Sequence, residues 1–334
     1  GMIFMDLLLI QSQEHDKLPI AELNAVMETE NIIADIKPIT PGLLLLRNLD
    51  EKTFNHSYKR LTDRLAYTHE VHQLIKTTNT TELENTVLNI DWNNYINENF
   101  VVRVKRFNSD IDTVATERNL GGLILEKTDN VKVKLVDSKT FIRVVAYQND
   151  IYLCLEKFKL NKKHFENIKP HKRPFFYPGS MSPKLARCMV NLSRIKEGEL
   201  LLDPFCGTGG ILIEAGLVGA KLVGSDINWK MKNGSAVNLD FCGITDYKTY
   251  KIDFKNLKML EPANAVVTDP PYGISTTTGG VDTSVIFDEF LESLPKNITP
   301  DALIVTASPH TMDLNPILER EGFELLEHYE IKMH

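Results

Sequence analysis

A turn of four residues, Asp269-Pro270-Pro271-Tyr272, holds the groups with the most specific chemistry in this sequence. Two consecutive prolines fix the backbone φ angles and remove two N–H donors, so the carbonyl of Pro270 is free to point at a ligand. Asp269 adds a second hydrogen-bond acceptor, and Tyr272 offers a flat face on which a base flipped out of its helix can stack. We predict that Asp269, Pro270 and Tyr272 are catalytic residues acting on a planar ring that bears an NH₂ group.

A glycine-rich turn upstream predicts a cofactor site. An apolar run ends in Asp203 and is followed by Pro-Phe-Cys-Gly-Thr-Gly-Gly, in which Gly207 and Gly209 let a ligand approach the backbone closely. The turn lacks the G-x-G-x-x-G spacing of dinucleotide loops, and the carboxylate suits a cationic sulfonium better than a pyrophosphate. This favours S-adenosylmethionine as the cofactor over a purely structural turn.

Two more carboxylates follow the next predicted strands. Asp226 stands where a doubly wound fold places an acceptor for ribose hydroxyls. Asp253 is placed to accept a hydrogen bond from an adenine amine, with Phe254 against the ring, although either acid can instead cap a helix. The predicted cofactor-binding residues of this region are Asp203, Phe205, Gly207, Gly209, Asp226, Ile227, Asp253, Phe254 and Asp269.

The elements that position these residues alternate regularly after residue 199. Repeated βα units predict an α/β, Rossmann-like domain with a mostly parallel sheet and helices on both faces. The predicted strands are Leu200–Asp203, Lys221–Asp226, Tyr250–Asp253, Ala265–Asp269, Ala302–Thr306 and Phe323–Met333. For the small, polar stretch Gly273–Gly280 we predict either a mobile loop beside the substrate pocket or a plain connector.

The first 160 residues or so predict an α+β region without a catalytic cluster. The predicted strands are Ile3–Ile10, Leu43–Leu46, Phe100–Lys105, Val131–Val136, Phe141–Tyr147 and Ile151–Leu155, and the predicted helices are Pro19–Glu28, Thr53–Asp63, Glu82–Leu88 and Thr113–Glu126. The run from Phe100 to Val145 resembles the THUMP domain, an RNA-binding module of tRNA-modifying enzymes. We predict that Arg103, Lys105 and Arg106 contact RNA; the alternative is that they line the solvated face of an amphipathic strand.

Positive charge is concentrated in one short segment. The chain carries a net charge of −7, but residues 157–187 hold nine Lys and Arg against one Glu, which gives +8. A local patch of this kind is sufficient for phosphate contact, and we assign Lys172 and Arg173 to RNA binding. A solvated basic linker is the alternative.

The motifs together resemble one enzyme family. The glycine-rich turn and Asp269-Pro-Pro-Tyr272 look like those of class I, Rossmann-like amino-methyltransferases, and Arg173-Pro-Phe-Phe-Tyr-Pro-Gly-Ser-Met-Ser-Pro-Lys-Leu-Ala-Arg187 is more specific still. With a THUMP-like region upstream, nearly the whole chain is similar to archaeal tRNA (guanine-N2) methyltransferases acting at guanosine 10. The resemblance implies a seven-stranded sheet, tRNA as the substrate, one or two methyl groups transferred, and Ser182 and Pro183 at the methionine end of the cofactor pocket.

We expect four parts: an N-terminal ferredoxin-like part (1–50), a THUMP domain (51–156), a basic linker (157–180) and a methyltransferase domain (181–334). Four widely spaced cysteines predict reduced thiols in a cytoplasm and neither a zinc site nor disulfides. We expect no metal, no membrane segment and no obligatory protein partner, and the family analogy implies a monomer.

Other substrates and one other class of protein fit part of the pattern. Guanine-N2 in ribosomal RNA and adenine-N6 in DNA both present an amino group on a ring, although the THUMP-like region favours RNA. A non-catalytic RNA-binding protein that retains a methyltransferase fold is the alternative of another class, and the intact acidic and glycine residues argue against it.

Overall fold

The structure is a computed structural model that describes residues 1–271 and 282–332. Its contacts divide the chain into two units, and both are assembled from discontinuous stretches. Unit 1 comprises residues 1–14, 32–58 and 68–160, and unit 2 comprises residues 15–31, 59–67 and 161–334. The chain therefore passes from one unit to the other five times before it completes unit 2.

Unit 1 is built on a single sheet of eight strands. These are β1 (Phe4–Gln11), β2 (Asp35–Thr40), β3 (Leu43–Asp50), β4 (Thr68–Asn79), β5 (Asn99–Phe107), β6 (Lys132–Val133), β7 (Thr140–Tyr147) and β8 (Asp150–Lys159). Their order is β2-β3-β1-β4-β8-β7-β5-β6. Strands from the predicted parts 1–50 and 51–156 thus share one sheet through the antiparallel pairing of β1 with β4. The predicted domain boundaries stay predictions.

The two faces of this sheet pack against different cores because side chains alternate along each strand. Phe100, Val102 and Val104 of β5 belong to a core that includes Leu120 and Ile124. Those two residues lie on α4 (Thr113–Glu126); α3 (Leu83–Leu88) contributes to the same core. The strand predicted at Val131–Val136 is reduced to the two-residue β6, since Leu135 and Val136 are exposed.

Unit 2 is built on a five-stranded parallel sheet. Its strands are β9 (Leu200–Asp203), β10 (Lys221–Asp226), β11 (Tyr247–Lys251), β12 (Ala263–Thr268) and β13 (Ile298–Thr306), in the order β11-β10-β9-β12-β13. Its helices are α1 (Leu18–Thr29), α5 (Lys162–Asn167), α6 (Pro183–Leu192), α7 (Gly210–Leu217), α8 (Trp229–Phe241), α9 (Thr283–Ser293) and α10 (Asn315–Glu321). The strand order reverses between β9 and β12, and such a switch point opens a crevice at the carboxyl ends of the strands.

The resemblance implies a sheet of seven strands, but the sheet of unit 2 has five strands in the described part of the chain. The strand predicted at Phe323–Met333 does not form: residues 323–332 pair with no strand, and Phe323, Tyr329 and Ile331 pack against the two cores of the unit instead. Leu325 and Leu326, which suggested a strand, are exposed.

Two N-terminal pieces are part of unit 2. Helix α1 packs on α6, and α2 (Glu51–Arg64) begins in unit 1 and ends in unit 2. The carboxylate of Glu22 accepts hydrogen bonds from the backbone N–H groups of Ala66 and Tyr67 at 3.0 and 2.9 Å, and from the side-chain amide of Asn191 at 3.0 Å. Burial raises the pKa of Glu22 to about 7.

Candidate cofactor and substrate site

The site lies in unit 2, where β9 and β12 end side by side. Asp203, the last residue of β9, is 1% exposed. Its Oδ1 accepts hydrogen bonds from the backbone N–H of Phe205 at 3.1 Å and from the hydroxyl of Thr268 at 2.5 Å. Because Thr268 ends β12, this bond fixes the carboxylate against the neighbouring strand.

The glycine-rich turn joins β9 to α7 and requires its glycines. Gly207 and Gly209 have φ angles of +52° and +89°, in the left-handed region that favours glycine. The N–H of Gly207 donates to Asp226 Oδ2 at 3.1 Å, while Asp226 Oδ1 accepts from the N–H of Asn228 at 2.9 Å. The carboxylate that ends β10 therefore shapes the turn and remains at the rim of the crevice.

Burial raises the pKa of three carboxylates in this crevice. Burial raises the pKa of Asp203 to about 7, and the charges of Asp269 and Asp226 add to the effect. Burial also raises the pKa of Asp269 to about 6 and raises that of Asp226. Carboxyl groups gathered in one crevice are stabilised in their charged form by a cationic ligand, and the sulfonium and ammonium groups of S-adenosylmethionine meet that requirement.

Asp269 directly follows β12, and one of its carboxylate oxygens is available to accept a hydrogen bond from a ligand. Its Oδ1 is buried and has no hydrogen-bond partner among residues 1–271 and 282–332. Pro270 is buried beside it, so the chain is tightly held at this point. Tyr272 and the stretch Gly273–Gly280 lie outside the described residues.

The remaining predicted cofactor residues have mixed environments. Phe205 and Phe254 have ring centroids 4.9 Å apart in an aromatic cluster with Phe290, so Phe254 belongs to the core as well as to the candidate site. Asp253 follows β11 and accepts from the N–H of Lys255 at 3.0 Å. Ile227 is 61% exposed at the same edge of the sheet.

The predicted methionine-end residues begin a helix. The hydroxyl of Ser182 caps α6 by accepting from the N–H of Leu185 at 3.3 Å, and Pro183 is the first residue of that helix. Arg173 was expected on the RNA-binding surface, but it is only 4% exposed and donates from Nε to the carbonyl of Ile168 at 2.9 Å. Burial lowers the pKa of Arg173, and the guanidinium is not available to a phosphate in this conformation. Lys172 is exposed.

The basic residues of β5 in unit 1 already have partners. Arg103 pairs with Glu117 at 3.4 Å and Lys105 with Glu70 at 3.6 Å. Arg106 is exposed and donates to the carbonyl of Ile111 at 3.2 Å. Arg103 and Lys105 keep 38% and 42% of their side-chain surface exposed, so these pairings leave the RNA-binding prediction open.

One cluster of side chains in unit 1 contains the residue types that can bind a metal ion. Glu70, His72 and Glu156 are the one such group found in the described residues. However, Glu70 is bound by two N–H groups of Arg143 at 2.9 and 3.2 Å and by His72 at 3.0 Å. The guanidinium of Arg143 supplies the opposite charge to Glu70. No helix in the described part is long and apolar enough to cross a membrane.

Sequence reasoning missed four residues that shape the site: Thr268, Thr208, Gly234 and Asn238. The side chain of Asn238 is fully buried in α8 and donates to the carbonyl of Thr208, in the glycine-rich turn, at 2.8 Å. A polar residue on the buried face of a helix was the available signal, but its partners are distant in sequence.

Comparison with known proteins finds family models that match two ranges of the chain. The RMKL-like methyltransferase domain model matches residues 170–334 and the THUMP domain model matches residues 77–156. The tRNA (guanine(10)-N2)-dimethyltransferase of Methanothermobacter thermautotrophicus is 42% identical over 99% of this chain and 96% of its own length. The enzyme of the same name from Methanocaldococcus jannaschii is 34% identical over 96% and 94%.

Solved structures share the fold at low identity. A possible methylase from Clostridium difficile matches with a TM-score of 0.56 and 16% identity over 99% of this chain and 95% of its own. TrmN from Thermus thermophilus matches with a TM-score of 0.55 and 17% identity over 97% and 94%. These neighbours support the methyltransferase architecture.

Proposed function

This chain belongs to the tRNA (guanine(10)-N2)-dimethyltransferase family, and from that premise we propose that it methylates the exocyclic N2 amine of a guanosine in tRNA, with S-adenosylmethionine as the methyl donor. We place the reaction at position 10 and propose that two methyl groups are added, as the names of its relatives state for those proteins. The observation that carries the proposal is the buried Oδ1 of Asp269 at the switch point of the sheet, which has no hydrogen-bond partner within the described part of the chain.

The amine of guanine is a poor nucleophile because its lone pair is delocalised into the ring. In the proposed site, Asp269 and the carbonyl of Pro270 accept hydrogen bonds from the two amine protons. This returns electron density to the nitrogen and directs the lone pair at the methyl group. As the new N–C bond forms, the S–C bond of the methyl donor would break and S-adenosylhomocysteine would leave. The amine proton becomes acidic at that stage and would be lost to water, so positioning and electrostatics supply most of the rate enhancement.

The cofactor pocket is proposed from the carboxylates and the glycine-rich turn. S-adenosylmethionine supplies an electrophilic methyl group when bound. Asp203 and its neighbours attract the cationic end, Asp226 accepts from the ribose, and Gly207 and Gly209 allow close backbone approach. Ser182, Pro183, Phe205, Ile227, Asp253 and Phe254 are proposed to complete the pocket.

We propose that unit 1 binds the tRNA through its THUMP domain, with Arg103, Lys105 and Arg106 as candidate contacts, and that Lys172 contributes from unit 2. Tyr272 is proposed to stack on the flipped base. The cytoplasmic location, the monomeric state and the absence of an obligatory partner stay predictions.

The test is transfer of labelled methyl from S-adenosylmethionine to unmodified tRNA, followed by nucleoside mass spectrometry. We expect N2-methylated and N2,N2-dimethylated guanosine that maps to position 10. Incorporation into ribosomal RNA or DNA alone would assign another substrate. Cofactor binding without transfer to any nucleic acid would contradict the catalytic proposal.

A further inference from the structure

The residues Arg173 to Ser180, here called the aromatic segment, are fixed to the cofactor side of unit 2 at three points. The first is Arg173, whose buried guanidinium lies against the start of α7. A Cβ atom built on Gly210 would be 3.2 Å from Arg173 Nη1, so the contact depends on the missing side chain. The Nε hydrogen bond to Ile168 holds the arginine from the other side.

The second point is Phe175, which is held by α8. Asn238 accepts from the N–H of Phe175 and donates to its carbonyl, both at 2.9 Å. One turn earlier, Gly234 leaves room for the aromatic ring: an added Cβ atom would come within 2.1 Å of Phe175 Cδ1. Because the amide of Asn238 also donates to Thr208, a single side chain ties the aromatic segment to the glycine-rich turn.

The third point is Ser180. Its hydroxyl donates to the carbonyl of Tyr177 at 2.9 Å and lies 3.2 Å from the hydroxyl of Thr208. The backbone on both sides of Phe176 and Tyr177 is therefore held against the same turn. The segment that composition alone describes as a basic linker is part of the site's framework.

Phe176 and Tyr177 are consecutive aromatic residues that this framework presents to solvent, with 51% and 53% of their surface exposed. Single exposed apolar residues are common and need no explanation. Two adjacent rings on a fixed backbone are different, because they are pre-ordered for a flat partner. They also follow the exposed Lys172, in the most positively charged stretch of the chain.

We propose that Phe176 and Tyr177 form a stacking surface for an unpaired nucleotide of the RNA substrate, outside the pocket of the target base. The proposal rests on the proposed function, which supplies the RNA. Unpaired bases stack on aromatic faces while nearby cations contact the backbone, and this combination is what the aromatic segment and Lys172 offer. Its continuity with the glycine-rich turn places the bound nucleotide beside the reaction.

The test compares tRNA and cofactor binding in variants of the full chain. The double variant Phe176→Leu, Tyr177→Leu keeps apolar side chains but removes both aromatic faces. We expect its dissociation constant for an unmodified tRNA transcript, measured by filter binding, to rise about tenfold, as the loss of a stacked base predicts. The dissociation constant of the double leucine variant for S-adenosylhomocysteine, measured by calorimetry, should stay within twofold of wild type. The double variant Phe176→Tyr, Tyr177→Phe keeps two aromatic faces and should bind tRNA as wild type does.

The matched control is Phe241→Leu, since Phe241 is 58% exposed and lies outside the aromatic segment. It should leave both constants unchanged. Equal tRNA binding by the double leucine variant and wild type would overturn the stacking surface while leaving the proposed function intact. A wild-type chain that binds no tRNA would overturn both.

Discussion

At the scale of single residues, the unpartnered oxygen of Asp269 is the feature on which the chemistry depends. An amide at this position keeps the shape but offers only one acceptor oxygen and adds a donor that faces the substrate amine. We expect Asp269→Asn to lower kcat by about 10²- to 10³-fold, the usual cost of removing a preorganised hydrogen-bond partner. Single-turnover methyl transfer measures the loss. A parallel loss of cofactor affinity would show that Asp269 supports the fold instead.

The pKa of Asp269 also predicts a pH dependence. Burial raises this pKa from 3.8 to about 6, so below that value the carboxyl is protonated and is a much poorer acceptor for the amine proton. We expect kcat/KM to rise with pH up to about 6 and then to level, because kcat/KM reports the free enzyme. The same profile for Asp269→Asn should lack this limb; an unchanged limb would assign it to another group.

The positions of residues in the fold were predictable where a motif is local. Asp203, Gly207, Asp226 and Asp269 could be assigned to the crevice because each follows directly on a strand or lies in its turn. Asn238 could not, since its three hydrogen bonds are to Phe175 and Thr208, which lie 30 or more positions away in the chain. The burial of Arg173, which was predicted to contact RNA, could not be foreseen because its charge, and not its burial, is visible in the sequence.

At the scale of elements, α8 holds the aromatic segment in place through its contacts with Phe175. Replacing a glycine by alanine inside a helix ordinarily stabilises by up to about 1 kcal/mol. Gly234→Ala should do the opposite, because the Phe175 ring occupies the space of the new methyl group. We expect a lower Tm and weaker tRNA binding, measured by calorimetry and filter binding.

The matched control is Gly122→Ala in α4, where an added Cβ atom meets nothing within 4 Å. That variant should be as stable as wild type or slightly more so. If Gly234→Ala behaves in the same way, the aromatic segment is not seated on α8 as described.

Some elements escaped prediction for physical reasons. Strand β4 carries Glu70 and His72 at buried positions, and these polar residues hide its pattern until their partner Arg143 on β7 is known. Strand β2 contains Pro38, and a proline removes a donor from the strand ladder, so this run does not have the usual composition of a strand. The strands of unit 2 were easier because β9 and β12 are apolar and fully enclosed.

At the scale of the whole molecule, unit 2 is incomplete without its N-terminal pieces. Leu18 and Ala25 of α1, together with Tyr67, belong to the same core as Met189 of α6 and the strand residue Leu201. A truncated chain of residues 161–334 would expose that core and lose the partners of Asn191. We expect it to show no cooperative thermal transition by circular dichroism and rapid digestion by protease, with the intact chain as the control. A stable, cooperatively unfolding fragment would contradict this.

The shared core also imposes an order of events during synthesis. Helix α1 ends at Thr29, but its partner α6 begins only at Pro183. At roughly 5–20 residues per second, the ribosome needs about 8 to 30 s to deliver that partner. During this interval the nascent chain contains Tyr67 but not α6, so most of the apolar face of α1 has no native surface to cover it until more than half of the protein has been made.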